Sequence, residues 1–216
     1  MIPLPENLAT LIRSDFVYFP FAGLGYYPVQ SEEVYGRDYF EKYKRYAVTE
    51  LSAKLTRFRL DLVQRFVGQE PVLDVGIGCG TFVESRNAQI HNTTGYDINP
   101  FAVEWLASRE LYHNPYQTAV DHACFWDSLE HIGRPSLILK SVRAYAFVSI
   151  PIFRDLQHIL CSKHFRKDEH FWYFTSWGLI RYMKDEGFDC VYRGTEECEF
   201  GREDIGTFVF KRLNPV

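Results

Sequence analysis

A chain of 216 residues with 46% hydrophobic and 24% charged side chains can bury one substantial core, which excludes a disordered or fibrous protein. Its formal net charge of −4 gives no general attraction to a phosphate backbone, so nucleic acid is disfavoured as a partner unless a local basic patch serves it. The five cysteines (Cys79, Cys124, Cys161, Cys190, Cys198) make neither a CxxC pair nor a metal-ligand spacing, which predicts free, mostly buried thiols in a reducing compartment.

The opening MIPLPENLATLIRSDF lacks a charged segment followed by an apolar run, and no apolar stretch approaches the roughly 20 residues of a membrane span. A cytoplasmic protein without a membrane partner is the expectation. Residues 1–36, rich in Pro, Gly and aromatic rings (YFPFAGLGYYPV), are expected as an irregular packed arm ahead of a domain over 37–216. Leu51, Leu55, Phe58, Leu62 and Phe66 recur at spacings of three and four, predicting one helix over about 37–67 that Gly68 ends. Pro71–Val75 is a short apolar run entering a glycine cluster, the pattern of a buried parallel strand. A short helix follows from about Thr81, a second strand ends at Gly95-Tyr96-Asp97, and a helix begins after Asn99-Pro100 with Pro in its first turn.

Residues 119–126 and 145–150 form the next strands. Thr175 or Ser176 caps a helix running to Glu186 and stopped by Gly187. The runs Asp189–Tyr192 and Thr207–Lys211 close the chain with no helix between them, as an antiparallel pair at one edge. Strands alternating with helices predict an α/β fold, a mainly parallel sheet with helices on both faces.

Asp74-Val75-Gly76-Ile77-Gly78-Cys79-Gly80 is the strongest local signal. Alternate glycines let the backbone turn tightly at a strand end and approach a ligand closely. Alone, this GxGxG also suits a nicotinamide dinucleotide. Asp74, however, would repel a pyrophosphate and attract an ammonium. Asp97, seventeen residues after Gly80, ends the next strand, where a carboxylate accepts ribose hydroxyls.

The blocks VLDVGIGCG, GYDINP, FWDSLEHI and VSIPIF, in this order, resemble the class I S-adenosylmethionine-dependent methyltransferase superfamily, in its D/E-x-x-E-H branch. The resemblance covers about 37–190. It implies a Rossmann-like sandwich whose mainly parallel sheet has seven strands and an antiparallel edge strand. It also implies methyl transfer from S-adenosylmethionine. Asp74, Gly76, Gly78 and Gly80 would surround the methionine part, Asp97 would hold the ribose, Ile98 would pack on adenine, and Trp126 and Asp127 would lie beside the cofactor. One departure is the short LYHNPYQT (111–118), which leaves the family's third strand and its adenine-contacting acid shortened or missing.

On the acceptor side, His131 is placed to act as general base with Glu130 beside it, since imidazole titrates near operating pH. A structural Glu130–His131 pair is the equal alternative. In the small-RNA 2′-O-methyltransferases a similar E-x-x-E-H with a later His binds Mg²⁺. By that resemblance Asp127, Glu130, His131 and His170 are metal candidates here, for Mg or Mn. Tyr35, Tyr39 and His170 are the candidates for acceptor contacts, and His164-Phe165-Arg166-Lys167 is a small basic cluster. The leading expectation is transfer to O or N of a small-molecule acceptor such as a sugar or phenol. An RNA or DNA methyltransferase and a noncatalytic S-adenosylmethionine-binding protein are the alternatives.

Overall fold

The computed structural model describes residues 15–28 and 36–213. The chain begins with a hairpin, β1 (Val17–Phe19) and β2 (Leu24–Tyr26), followed by helices α1 (Arg37–Ala47) and α2 (Glu50–Val67). Alternating elements come next: β3 (Val72–Val75), α3 (Thr81–Asn87), β4 (Thr93–Tyr96), α4 (Pro100–Ala107), β5 (Val120–Trp126), a 3₁₀ turn at Leu129–His131, α5 (Pro135–Leu139) and β6 (Val142–Phe153). The chain closes with α6 (Leu156–Cys161), β7 (Trp172–Thr175), α7 (Ser176–Asp185), β8 (Phe188–Gly194), the short α8 (Glu196–Glu199) and β9 (Ile205–Arg212).

Strands β4-β3-β5-β6 lie side by side and parallel, and β9 then β8 continue from β6 antiparallel. The period of two along each strand divides the interior into two cores. On β5, Ala123 and Phe125 join Leu73, Val75, Val148, Ile150, Leu179 and Phe208 on one face. Cys124 and Trp126 meet Leu62, Val63 and Val67 of α2 on the other, together with Phe82 and Phe147. Helices thus cover both faces, as the alternating pattern predicts.

Four details differ from the sequence expectation. The helix expected over 37–67 is two helices, because Thr49 interrupts it: its hydroxyl caps α2 by accepting from Ser52 N and also bonds the carbonyl of Tyr46. The part of the N-terminal arm that is described is not irregular. Its β1–β2 hairpin adds two antiparallel strands to β7, which itself pairs in parallel with the end of β6 at Ile152 and Phe153. The sheet therefore has nine strands among the described residues, not seven. Of the five cysteines, only Cys124 is buried. The shortened third strand is reduced to one parallel bridge, Gly95 with Tyr112. No helix among the described residues is long and apolar enough to cross a membrane.

One buried cation that the sequence reading passed over fastens the glycine-loop side of the sheet. Arg86 on α3 donates to the side chains of Asn92 and Thr93 and to the carbonyls of Gly68 and Glu70. It ties α3 to both strand entrances beneath it. No periodicity marks such a residue, since an arginine on a short helix reads as solvent-facing.

Candidate active site

The site lies at the carboxyl ends of the parallel strands, in an open cleft of about 1380 Å³. β3 breaks into the loop Gly76–Gly80, whose glycines stand at φ +77°, +60° and +88° for Gly76, Gly78 and Gly80. A Cβ on Gly76 would lie 2.6 Å from the Cβ of Ser128, and one on Gly80 would lie 2.5 Å from the Trp105 ring. Glycine is therefore required at both positions by conformation and by contact. The loop is fixed at its base by Gly76 N–H bonding the Tyr96 carbonyl at 2.8 Å and by Ser128 Oγ bonding the Val75 carbonyl at 2.6 Å.

Asp74 and Asp97 both line this cleft, as does Ile98, which stands 65% exposed at the rim. Asp74 is 2% exposed and its Oδ1 has no hydrogen-bond partner among the described residues. Burial raises its pKa to about 7, opposed by Arg59 and assisted by Asp97. Burial also raises Asp97, against the backbone N–H groups of Asn99, Ile98, Gly78 and Ile77. Asp97 Oδ1 accepts from Asn99 N at 2.8 Å, so one carboxylate holds the turn into α4 while facing the glycine loop.

Trp126 ends β5 almost fully buried, with the Arg59 guanidinium 5.0 Å above its ring. Asp127, at φ +56°, turns into an ion cluster with Arg59 at 2.9 Å and Arg202 at 2.7 Å. The two arginines also bind buried Glu197, whose Oε1 accepts from Ser149 Oγ at 2.9 Å. Burial opposes ionisation of Asp127, but Arg202 and Arg59 together hold its carboxyl far below the ordinary range.

Two residues past Asp127 the chain enters its 3₁₀ turn, which places Glu130 and His131 against His170 from the loop before β7. One ligand-capable atom from each of the three lies within 4.8 Å of the others. Phe171 N–H bonds the Glu130 carbonyl at 2.9 Å and Trp172 Nε1 bonds the Ile132 carbonyl, so β7 and the turn are sewn together. His131 Nδ1 is 2.9 Å from the Glu169 carbonyl, and the His131 and His170 rings meet edge-on at 4.5 Å. Burial, then Asp127, pushes the Glu130 carboxyl well up. Burial lowers His131 against the opposing Glu169 carbonyl, and burial with His131 lowers His170 to about 2, so both imidazoles are neutral at neutral pH.

The four expected metal candidates are thus divided: Glu130, His131 and His170 converge, and Asp127 belongs to the arginines. Tyr39 lies in the cleft wall and donates to the Tyr43 hydroxyl at 3.2 Å, whereas Tyr35 falls outside the described residues. From the basic cluster, His164 and Arg166 line the cleft, with Arg166 paired to Glu169 at 3.0 Å.

A family model described as a methyltransferase domain matches residues 43–193. The chain belongs to the methyltransferase family. The fold agrees with solved methyltransferase structures at low sequence identity. A magnesium protoporphyrin IX methyltransferase from Synechocystis PCC 6803 with bound S-adenosylhomocysteine has a TM-score of 0.60 at 13% identity, over 82% of this chain and 97% of that one. An S-adenosylmethionine-dependent methyltransferase from Clostridium acetobutylicum gives 0.59 at 13% identity, over 81% and 99%. The 1,6-didemethyltoxoflavin-N1-methyltransferase of Burkholderia thailandensis, solved with 1,6-didemethyltoxoflavin and S-adenosylhomocysteine, gives 0.57 at 15% identity, over 93% and 100%. No curated protein matches the chain in sequence.

As an S-adenosylmethionine-dependent methyltransferase, the chain needs a place for an ammonium and a nucleoside. Its residues fit that group: a buried carboxylate oxygen without a partner at Asp74, a backbone stripped of side chains at Gly76 and Gly80, and a second acid at Asp97 share one cleft. What the sequence reading of this methyltransferase missed is the arginine pair. Arg59 stands on the inward face of its helix between Leu55 and Leu62, where a charge has no partner nearby in sequence, and Arg202 lies in a late loop, 75 residues from Asp127, so no local pattern links them.

Proposed function

We propose that the cleft binds S-adenosylmethionine between Asp74 and Asp97 and methylates an oxygen or nitrogen of a small-molecule acceptor held beside Glu130, His131 and His170. The observation that carries the reading is the shared cleft: the glycine loop, both acids and the Glu130–His131–His170 group line one cavity. When bound, the cofactor supplies an electrophilic methyl group on a sulfonium. Asp74 then receives the amino-acid ammonium, and Asp97 the ribose hydroxyls. Gly76, Gly78 and Gly80 let the backbone approach the methionine part, Ile98 covers the adenine, and Trp126 walls the far side.

In-line transfer demands position more than acid–base power, so the chain's main task is to align the reactants and exclude water. His131, neutral and oriented by the Glu169 carbonyl, is the side chain suited to take the acceptor's proton. Tyr39 and Tyr43 offer ring faces to a planar acceptor. The small-molecule reading is supported by the net charge of −4 and by the 1,6-didemethyltoxoflavin bound in one structural neighbour. Calorimetry with S-adenosylmethionine and S-adenosylhomocysteine tests the cofactor half. One site for each, lost in Asp97→Ala, is expected, and no binding of either overturns the reading.

A further inference from the structure

We propose that the outer edge of β1 is a self-association surface, along which a second copy of this chain adds its own β1 in antiparallel register.

The edge is open. Among the described residues β1 pairs with β2 alone and ends the strand order, so the backbone groups along its other side have no ladder partner there. Such a row of N–H and C=O groups is a template for another strand unless charge, a bulge or a covering segment blunts it. The sheet's other edges are blunted in these ways. β8 carries Asp189 and Arg193 and shifts register between Cys190 and Tyr192, and β4 is bridged along its outer side by Tyr112. β1 has none of these devices: it is Val17-Tyr18-Phe19, three residues of high strand propensity, and Pro20 falls past it in the turn.

Strand alternation gives the edge an apolar face. Phe16 and Tyr18 point inward, Phe16 against Phe165 and Tyr173, and Tyr18 onto the cluster of Phe153 and Ile159. Asp15, Val17 and Phe19 therefore point the other way, where Val17 is 46% and Phe19 49% exposed. At the hairpin's tip Phe21, 92% exposed, and Trp177 on α7, 53% exposed, extend the patch. An apolar surface of this kind on a strand edge marks a site of protein contact.

Charge picks out a second copy as the occupant. Asp15 at one end of the edge and Arg181 at the other have no ion-pair partner among the described residues. Arg181 donates to the Phe21 carbonyl at 3.0 Å and lies 5.4 Å from the Trp177 ring centroid. In an antiparallel pair about a two-fold axis through Tyr18, Val17 stands opposite Phe19 of the second copy. Asp15 then stands opposite Phe21 of the second copy, the residue whose carbonyl holds Arg181. Each carboxylate meets a guanidinium, on the same face that carries the apolar cross-strand pairs. The same strand run in reverse supplies both matches, and the two-fold axis makes every contact occur twice and closes the assembly at a dimer.

Sedimentation velocity of the full chain, from about 1 to 200 µM, reads the proposal. A species of twice the chain's mass is expected to grow with concentration. Asp15→Arg and Arg181→Asp alone should each weaken association about tenfold, because each sets like charges opposite at two symmetric places. The two together should restore it to within about threefold of the parent. Circular dichroism spectra that match the parent's show that all three variants fold. A chain that keeps a single mass at the highest concentration overturns the proposal, as does a dimer that both single variants leave unchanged. A double variant that associates no better than the singles overturns the antiparallel register, and the proposal with it.

Discussion

Asp74 on β3 lies opposite Gly95 on β4 in the parallel register, two residues before Asp97, so the two acids reach the same rim from neighbouring strands. This pairing makes each carboxylate part of the other's field. Burial and Asp97 together hold Asp74 near pKa 7, well above the ordinary 3.8. With the folded pKa raised, Asp74's contribution to stability is fully present below pH 3.8 and is lost as pH rises through about 7. A ligand ammonium reverses that preference, because it binds the ionised form. Affinity for S-adenosylmethionine is therefore expected to rise about tenfold from pH 6 to pH 8 and to flatten above it. Asp74→Asn should bind weakly at every pH without that slope. A wild-type affinity constant across pH 6–8 in calorimetry refutes the assignment.

The glycine loop gives a graded prediction. At Gly80 an added Cβ meets the Trp105 ring at 2.5–2.9 Å with φ at +88°, so strain and overlap act together. Gly80→Ala should lower stability by about 2–4 kcal/mol. Gly36, which precedes α1 at φ −110° and has nothing within 4 Å of an added Cβ, should change it by less than about 1 kcal/mol as Ala. Chemical denaturation of the two variants compares them directly. Equal losses would mean that the ring of Trp105 moves aside freely.

The parts of this molecule legible in its sequence are those written locally. The strand-loop-helix at Asp74–Thr81, the second acid at Asp97 and the proline-opened α4 each depend on contacts within a few residues, and they fold as the pattern predicts. The shortening of the family's third strand was legible too, because eight residues leave little room for both a turn and a strand, and one bridge between Gly95 and Tyr112 remains. What escaped prediction depends on distant partners. The N-terminal hairpin becomes sheet only because β7 offers its edge, and the aromatic stretch 172–175 becomes β7 only because the last two residues of β6 extend past β9. Asp127 beside Glu130 and His131 invites a single ligand set, and two arginines from elsewhere in the chain divide it.

That ion cluster carries its own prediction. Glu197 is completely buried between Arg59 and Arg202, and Ser149 bonds it from β6. Removing one arginine leaves a buried carboxylate short of its partner, a change that is destabilising by about 3–5 kcal/mol. Arg59→Met should show this loss, and Arg59→Met with Glu197→Gln should recover much of it. Additive losses in the double variant would show that the four groups do not act as a unit.

The N-terminal hairpin separates structural from catalytic damage. It docks where Gly178, in the first turn of α7, lets the Gly23 carbonyl approach so closely that an added Cβ would lie 2.0 Å from that oxygen. Backbone cannot yield there as a flexible side chain can, so Gly178→Ala must push the hairpin away from β7. Thr175 N–H, bonded to that same carbonyl at 2.8 Å, loses its partner at the same time. No residue of 15–28 lines the cofactor cleft, however, and the parallel strands that carry Asp74 and Asp97 lie across β6 from the hairpin. Hydrogen exchange should therefore show faster exchange at Leu24–Tyr26 in Gly178→Ala with Val72–Val75 still protected, and S-adenosylhomocysteine should bind as in the parent. If Val72–Val75 lose protection in step with Leu24–Tyr26, the hairpin is part of the same cooperative unit as the catalytic sheet, and its docking is a condition of the site's existence.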